Sequence, residues 1–138
     1  MDSDIDNAFT VDVHVRYSDL DTYNHVNNAV YATYLEEARI AYIDEVLDVD
    51  VNDFTFVVAN LELSFERPVE MTDTLSVALE TTNLGRSSAT MVYELRDAGE
   101  RVATGETTLV YVDPDEKRPA ELPSPIRESI VAFEGLEE

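Results

Sequence analysis

Cysteine and tryptophan are absent from this 138-residue chain, glycine occurs four times, and lysine occurs once, at Lys117. Without cysteine there is no disulfide framework, no thiol nucleophile and no thiolate metal site. Basic residues are scarce as well, 9 against 30 acidic, which gives a formal charge of −21. A nucleic-acid binder that neutralises phosphates and a peripheral anchor on anionic membranes both need clustered Lys and Arg, so neither partner is expected. No apolar run approaches the roughly 20 residues of a membrane span. The opening MDSDIDNAFT lacks the basic and apolar regions of a secretory signal, and a cytoplasmic location is expected. No repeat, low-complexity tract or linker interrupts the sequence, so residues 1–138 read as a single domain.

What the chain does have is apolar residues, 44% of the total, enough for a core at a size that buries roughly two-thirds of its unfolded surface. The acidic excess runs diffusely from Asp2 to Glu138. A diffuse excess points to an environment rather than to one basic partner. Molar salt, with a Debye length of about 3 Å, would screen the self-repulsion, and a halophilic origin is the expected reading.

Apolar residues alternate from Phe9 through Val11, Val13 and Val15 to Tyr17, the period of a half-buried strand. After the polar loop SDLDTYNHVNN, residues Tyr31, Tyr34, Leu35, Ala38, Ala41 and Tyr42 fall on one helical stripe. Asn27 or Asn28 is placed to cap that helix, which is predicted to run to about Leu47. Alternation returns in Leu61–Phe65, Leu75–Leu79, Met91–Leu95 and Val102–Val112, with Gly85 and Asp97-Ala98-Gly99 as turns. Ser124 and Pro125 read as the cap and first residue of a short closing helix through Phe133. The expectation is an α+β fold in which a curved five-stranded antiparallel sheet carries one long helix. Its open edges invite a second copy, so a homodimer is expected.

The densest polar constellation is Ser18, Asp19, Asp21, Asn24, His25, Asn27 and Asn28, between the first strand and the long helix. An ordinary loop would use these residues for turns and caps. Asp19-Leu20-Asp21-Thr22 also spells a phosphotransfer motif, but that motif follows a strand apolar on both faces, and Asp12, His14 and Arg16 mark this one as half-exposed. A calcium loop starting at Asp19 fails at Tyr23, Asn24 and Val30. With only His14 and His25 available, a zinc site would depend on carboxylates, and no metal is expected. Acyl transfer or hydrolysis fits better. A carboxylate precedes a helix start whose free amides and dipole suit a developing oxyanion.

Residues 16–39, RYSDLDTYNHVNNAVYATYLEEAR, resemble the opening of 4-hydroxybenzoyl-CoA-type thioesterases, with the HVNN form of the acyl-CoA and acyl-ACP branches. VVANLELSFERPVEMTDTLSV and LGRSSATMVYEL resemble the same family's later strands, so the similarity spans about residues 9–112. The resemblance implies the hotdog fold, dimers or tetramers with active sites between subunits, and acyl-CoA as substrate with no separate cofactor. It also implies catalysis by Asp21 with Asn24 and His25 assisting, an oxyanion donor at Asn28, and CoA phosphates near Arg86. The acyl chain would lie beside the helix that carries Tyr31 and Tyr34, both on its apolar stripe. A hotdog hydratase is the alternative enzyme, although Asn24 and His25 follow Asp21 at offsets that differ from the hydratase motif. A non-catalytic acyl-CoA binder is the alternative outside enzymes. Related thioesterases place the acid on the helix, where Glu36 and Glu37 stand here, but Glu36 and Arg39 read first as a surface ion pair. On this reading Asp19→Asn is expected to do little.

The charge generates a direct test. Thermal midpoints are expected to rise between about 0.1 and about 2 M KCl, as the Debye length falls from about 10 Å toward about 2 Å. A flat or falling midpoint in calorimetry would remove the halophilic reading.

Overall fold

The computed structural model describes residues 8–50 and 54–136. Five strands, β1 (Phe9–Asp12), β2 (Thr55–Phe65), β3 (Leu75–Leu84), β4 (Ser88–Asp97) and β5 (Glu100–Val112), form one sheet in the order β1-β3-β4-β5-β2. Every neighbouring pair is antiparallel. The long helix α1 (Tyr31–Glu45) lies on one face, and a short helix α2 (Ser124–Glu134) closes the chain. The element order therefore matches the sequence pattern.

Several boundaries differ from the pattern. The β1 ladder stops at Asp12, yet Val13 and Val15 stay buried in phase with it. Tyr17 breaks the phase: it opens a 3-10 turn, Tyr17–Asp19, and is 83% exposed. A second 3-10 turn, Asn28–Val30, precedes α1, and the Asn27 side chain caps it by accepting the Ala29 N–H. Helix α1 ends at Glu45 rather than Leu47. At α2 the cap position falls on Pro123 and Ser124 is the first helical residue, one position earlier than the sequence suggests.

Helix α1 buries Tyr31, Tyr34, Leu35, Ala38, Tyr42 and Ile43 against the sheet. Over Gly105 an added Cβ would lie 3.0 Å from Leu35 Cδ1 and 3.3 Å from Leu63 Cδ2. Leu79, Met91, Leu95 and Leu109 fill the remaining core. At the far end of α1 the Tyr42 hydroxyl donates to Glu134 Oε2 at 2.6 Å, and the Thr81 N–H donates to the same oxygen at 2.9 Å. Phe9, Tyr42 and Phe133 pack edge to face around this contact, which pins α2 to the bulged end of β3.

Strand β2 is different in kind. It ends the sheet, and apart from Phe56 and Leu63, both half-buried, its residues are exposed. The exposed set includes Val57, Val58, Leu61 and Phe65. An apolar edge strand with unpaired backbone groups is a template for another strand.

The β4–β5 hairpin turns through two residues, with Ala98 at φ +52° and Gly99 at φ +84°. Both positive values define the mirror-image turn that suits strand twist, which favours Asn-Gly. Alanine in the left-handed region is strained by about 1–2 kcal/mol. Ala98→Asn is expected to stabilise the fold by about 0.5–1 kcal/mol, measured by urea unfolding.

Candidate active site

Residues 19–27 fold back on themselves as a short two-armed loop. The Asn27 N–H donates to the Asp19 carbonyl at 2.9 Å, Leu20 bridges Val26, and the Asp21 N–H donates to the His25 carbonyl at 2.8 Å. The tip turns at Asn24, whose φ of +63° is one that Asn tolerates better than most residues. The loop docks on the segment before β3, where the Val26 N–H donates to the Val69 carbonyl at 2.7 Å.

The two aspartates do different work within this loop. Asp19 is buried, and its Oδ2 accepts both the Tyr34 hydroxyl and the Arg16 N–H at 2.8 Å. Burial holds the Tyr34 phenol well above its usual range, and the Asp19 hydrogen bond and charge add to the effect. The phenol therefore stays a donor. Asp19 thus joins the end of the first strand, α1 and, through its carbonyl, the start of the 3-10 turn. Asp19 therefore has a structural role that the sequence reading did not assign it, as a buried acceptor of two hydrogen bonds. Asp21 is half-buried, and its Oδ1 accepts the backbone N–H groups of Tyr23 at 2.8 Å and His25 at 3.2 Å. Its Oδ2 accepts no hydrogen bond among the described residues.

The other sequence-selected residues sort themselves around this loop. The Asn24 side chain is exposed, and its contribution to the loop is the backbone turn. The His25 imidazole points to Glu70, with Nε2 3.9 Å from the carboxylate, rather than to Asp21. Asn28 begins the 3-10 turn, and the backbone pairing around it leaves its N–H without an acceptor among the described residues. Tyr31 and Tyr34 are fully packed, Tyr31 edge-on to Phe65 at 4.9 Å between ring centres. Burial raises the Tyr31 phenol, offset in part by a backbone hydrogen bond from Val69.

Glu36 and Arg39 do not pair with each other. Arg39 Nη1 instead donates to the Tyr93 hydroxyl at 3.3 Å, Glu37 lies 3.9 Å from Arg16, and Glu36 has no partner among the described residues. Sequence spacing places residues three apart on one helix face, but it does not show which neighbour from the sheet competes for the guanidinium.

Arg86 occupies the exposed β3–β4 turn. There the Leu122 N–H donates to its carbonyl at 2.8 Å and the Arg127 guanidinium donates to the Gly85 carbonyl at 2.6 Å. Arg127 is a support of this turn that sequence reasoning missed, since nothing local distinguishes it. Ten residues of β3, about 30 Å, separate the Arg86 end of the sheet from the Asp21 end. One chain therefore does not bring Arg86 and Asp21 together. Among the described residues no group of three or more His, Asp and Glu side chains is arranged to hold a metal ion.

Tyr34→Phe removes one of the two donors to a buried carboxylate and is expected to lower stability by about 1–3 kcal/mol. Urea unfolding measures this, and a near-neutral result would show that Asp19 is satisfied without the phenol.

The sequence profile of the thioesterase-like superfamily matches residues 15–130. The chain is 31% identical over 123 residues to the long-chain acyl-CoA thioesterase FadM of Escherichia coli, covering 86% of this chain and 93% of that one. A thioesterase from Thermus thermophilus, solved with coenzyme A and zinc, superposes with a TM-score of 0.82 at 41% identity, covering 93% of this chain and 95% of that one. A thioesterase-superfamily protein from a Jannaschia species shares the fold with a TM-score of 0.86 at 24% identity, over 96% of both chains. The chain belongs to the thioesterase-like superfamily, and it is a thioester hydrolase built on the hotdog fold.

Proposed function

We propose that this enzyme hydrolyses acyl-CoA thioesters to the free acid and CoA, working in the cytoplasm as a homodimer whose two active sites lie between the subunits. The observation that carries the reading is the unpaired Asn28 amide, fixed at the start of the 3-10 turn that leads into α1, beside the Asp21 loop. The positive end of the helix and a free N–H together stabilise negative charge on a thioester oxygen. One such donor is worth roughly 3 kcal/mol of barrier. With the carbonyl oxygen on that amide, the free oxygen of Asp21 attacks the carbonyl carbon directly or draws a proton from the water that does. The C–S bond then breaks and the CoA sulfur takes up a proton; on the direct route this leaves a mixed anhydride on Asp21, which water hydrolyses to the free acid and the regenerated carboxylate. His25, on the same loop, assists as proton donor to the sulfur or by steadying the Asp21 turn, and Asn24 assists by shaping that turn. All the groups required are side chains and backbone amides, so no cofactor beyond the substrate's own CoA is invoked.

The homodimer reading rests on the β2 edge and on where Arg86 lies. A twofold axis that pairs β2 with its copy reverses the strand ends. It thereby brings the partner's Arg86 to the end of the sheet that holds Asp21, and a guanidinium there suits CoA phosphates. Tyr31 and Tyr34 back the acyl chain from within the core rather than lining it with their hydroxyls. Further association of dimers into a tetramer would leave this composite site unchanged.

Steady-state CoA release over a panel of acyl-CoAs in molar KCl tests the reading. Asp21→Asn is expected to lower kcat at least about a hundredfold while the fold and CoA binding persist. Wild-type turnover in Asp21→Asn, together with loss of activity in Glu36→Gln or Glu37→Gln, would move the chemistry to the helix.

A further inference from the structure

Helix α1 presents two opposite charges to the β2 side of the molecule, and neither is neutralised among the described residues. Glu36 is exposed and unpartnered there. Arg39 is half-buried and gives one N–H to a neutral phenol, Tyr93, which is itself held by Thr107 Oγ1 at 2.7 Å. In a chain of charge −21, Arg39 has no carboxylate partner among the described residues. Both side chains line a groove of about 240 Å³ with Thr33, Val58, Leu61 and Thr107. That volume falls below the roughly 300–1,000 Å³ of small-molecule sites. It suits inserted side chains better than an acyl-CoA.

The groove also has a special position. Val58 and Leu61 flank Asn60, the midpoint of the 11-residue strand β2, and Glu36 and Arg39 flank Ala38, the midpoint of the 15-residue helix α1. If two β2 strands pair antiparallel about their midpoints, the twofold axis passes over this groove and the two α1 helices run in opposite directions on the same face. An isologous interface sets residue i against j and j against i. Glu36 of each subunit then meets the partner's Arg39, because the two lie on opposite sides of the helix midpoint.

We propose that Glu36 and Arg39 form two reciprocal ion pairs across the twofold axis, a closed four-charge cluster that fixes the register of the homodimer. The Tyr93 hydrogen bond pre-orients the guanidinium, and the apolar Val58 and Leu61 side chains exclude water around the pairs once the partner covers them. The cluster is neutral, so the dimer gains a specific contact without adding to its surface charge. Without the cluster, β2 edges alone would tolerate slipped registers, since a backbone ladder repeats every two residues. This inference rests on the homodimer proposed above.

The test uses the full chain and reads oligomeric state by sedimentation, at the lowest KCl concentration at which the wild type remains folded. Glu36→Arg and Arg39→Glu each create two like-charge contacts and are expected to raise the dimer dissociation constant at least about a hundredfold. Mixing the two variants is expected to restore dimers, because the heterodimer has both pairs with opposite charges, which pairing inside one chain would not produce. Glu36→Gln breaks no contact within the described residues, so its folding is secure, and it is expected to weaken the dimer about tenfold. A wild type that sediments as a monomer overturns the homodimer and this cluster together. A dimeric wild type whose variants dissociate no more readily overturns the cluster alone.

Discussion

Three tyrosines on the buried face of α1 constrain the rest of the structure. A phenol brings a large apolar surface into the core, but its hydroxyl must find a partner there, at a penalty of about 1–3 kcal/mol if it does not. Tyr34 finds Asp19, Tyr42 finds Glu134 and Thr81, and Tyr31 meets the backbone at Val69. These partners come from the loop before the helix, the closing helix, β3 and the segment leading into β3. One helix thereby ties together segments that are far apart in sequence, and a change at any of the three hydroxyls reaches the segment that answers it.

The site inherits its geometry from that constraint. Because Asp19 is held by Tyr34 and the Arg16 amide, its carbonyl is fixed, and with it the Asn27 amide and the start of the 3-10 turn. The free Asn28 amide is the next along the chain. Asp21 is held by its own loop's amides, so it and the Asn28 amide rest on separate supports. Arg86 shares neither support, since it stands at the other end of β3. In the proposed homodimer, symmetry brings these two ends together.

Charge enters the fold in the same uneven way. On the sheet face away from α1, Glu62 of β2 stands directly opposite Glu106 of β5, and Glu62 is exposed. Like charges opposed across strands are destabilising, and high ionic strength reduces that repulsion. Near the helix, by contrast, the ionisable groups lie at defined positions: Asp19 against Tyr34, Glu134 against Tyr42, Arg39 against Tyr93. Acidity is diffuse on the surface and specific where it meets the core.

Period and punctuation in the sequence determined the order of elements, the inward stripe of α1, the hairpin at Ala98-Gly99 and the choice of the loop from Ser18 to Asn28 as the site, because these depend on contacts a few residues apart. That this polar loop feeds a helix start was legible for the same reason, whereas the choice of Asp21 and Asn28 within it rests on the family resemblance. The structural role of Asp19 was not legible, because it turns on Tyr34, fifteen residues away and folded back over the loop. Nor did spacing reveal that Arg39 turns from Glu36 to Tyr93, or that Arg127 braces the Arg86 turn, since both partners arrive from other elements. The length of β2 also lay outside the local pattern: its exposed residues have no buried face to impose alternation, and pairing with β5 alone sets its extent. Local periodicity records which way a side chain points, whereas the partner it meets depends on how distant segments are packed together.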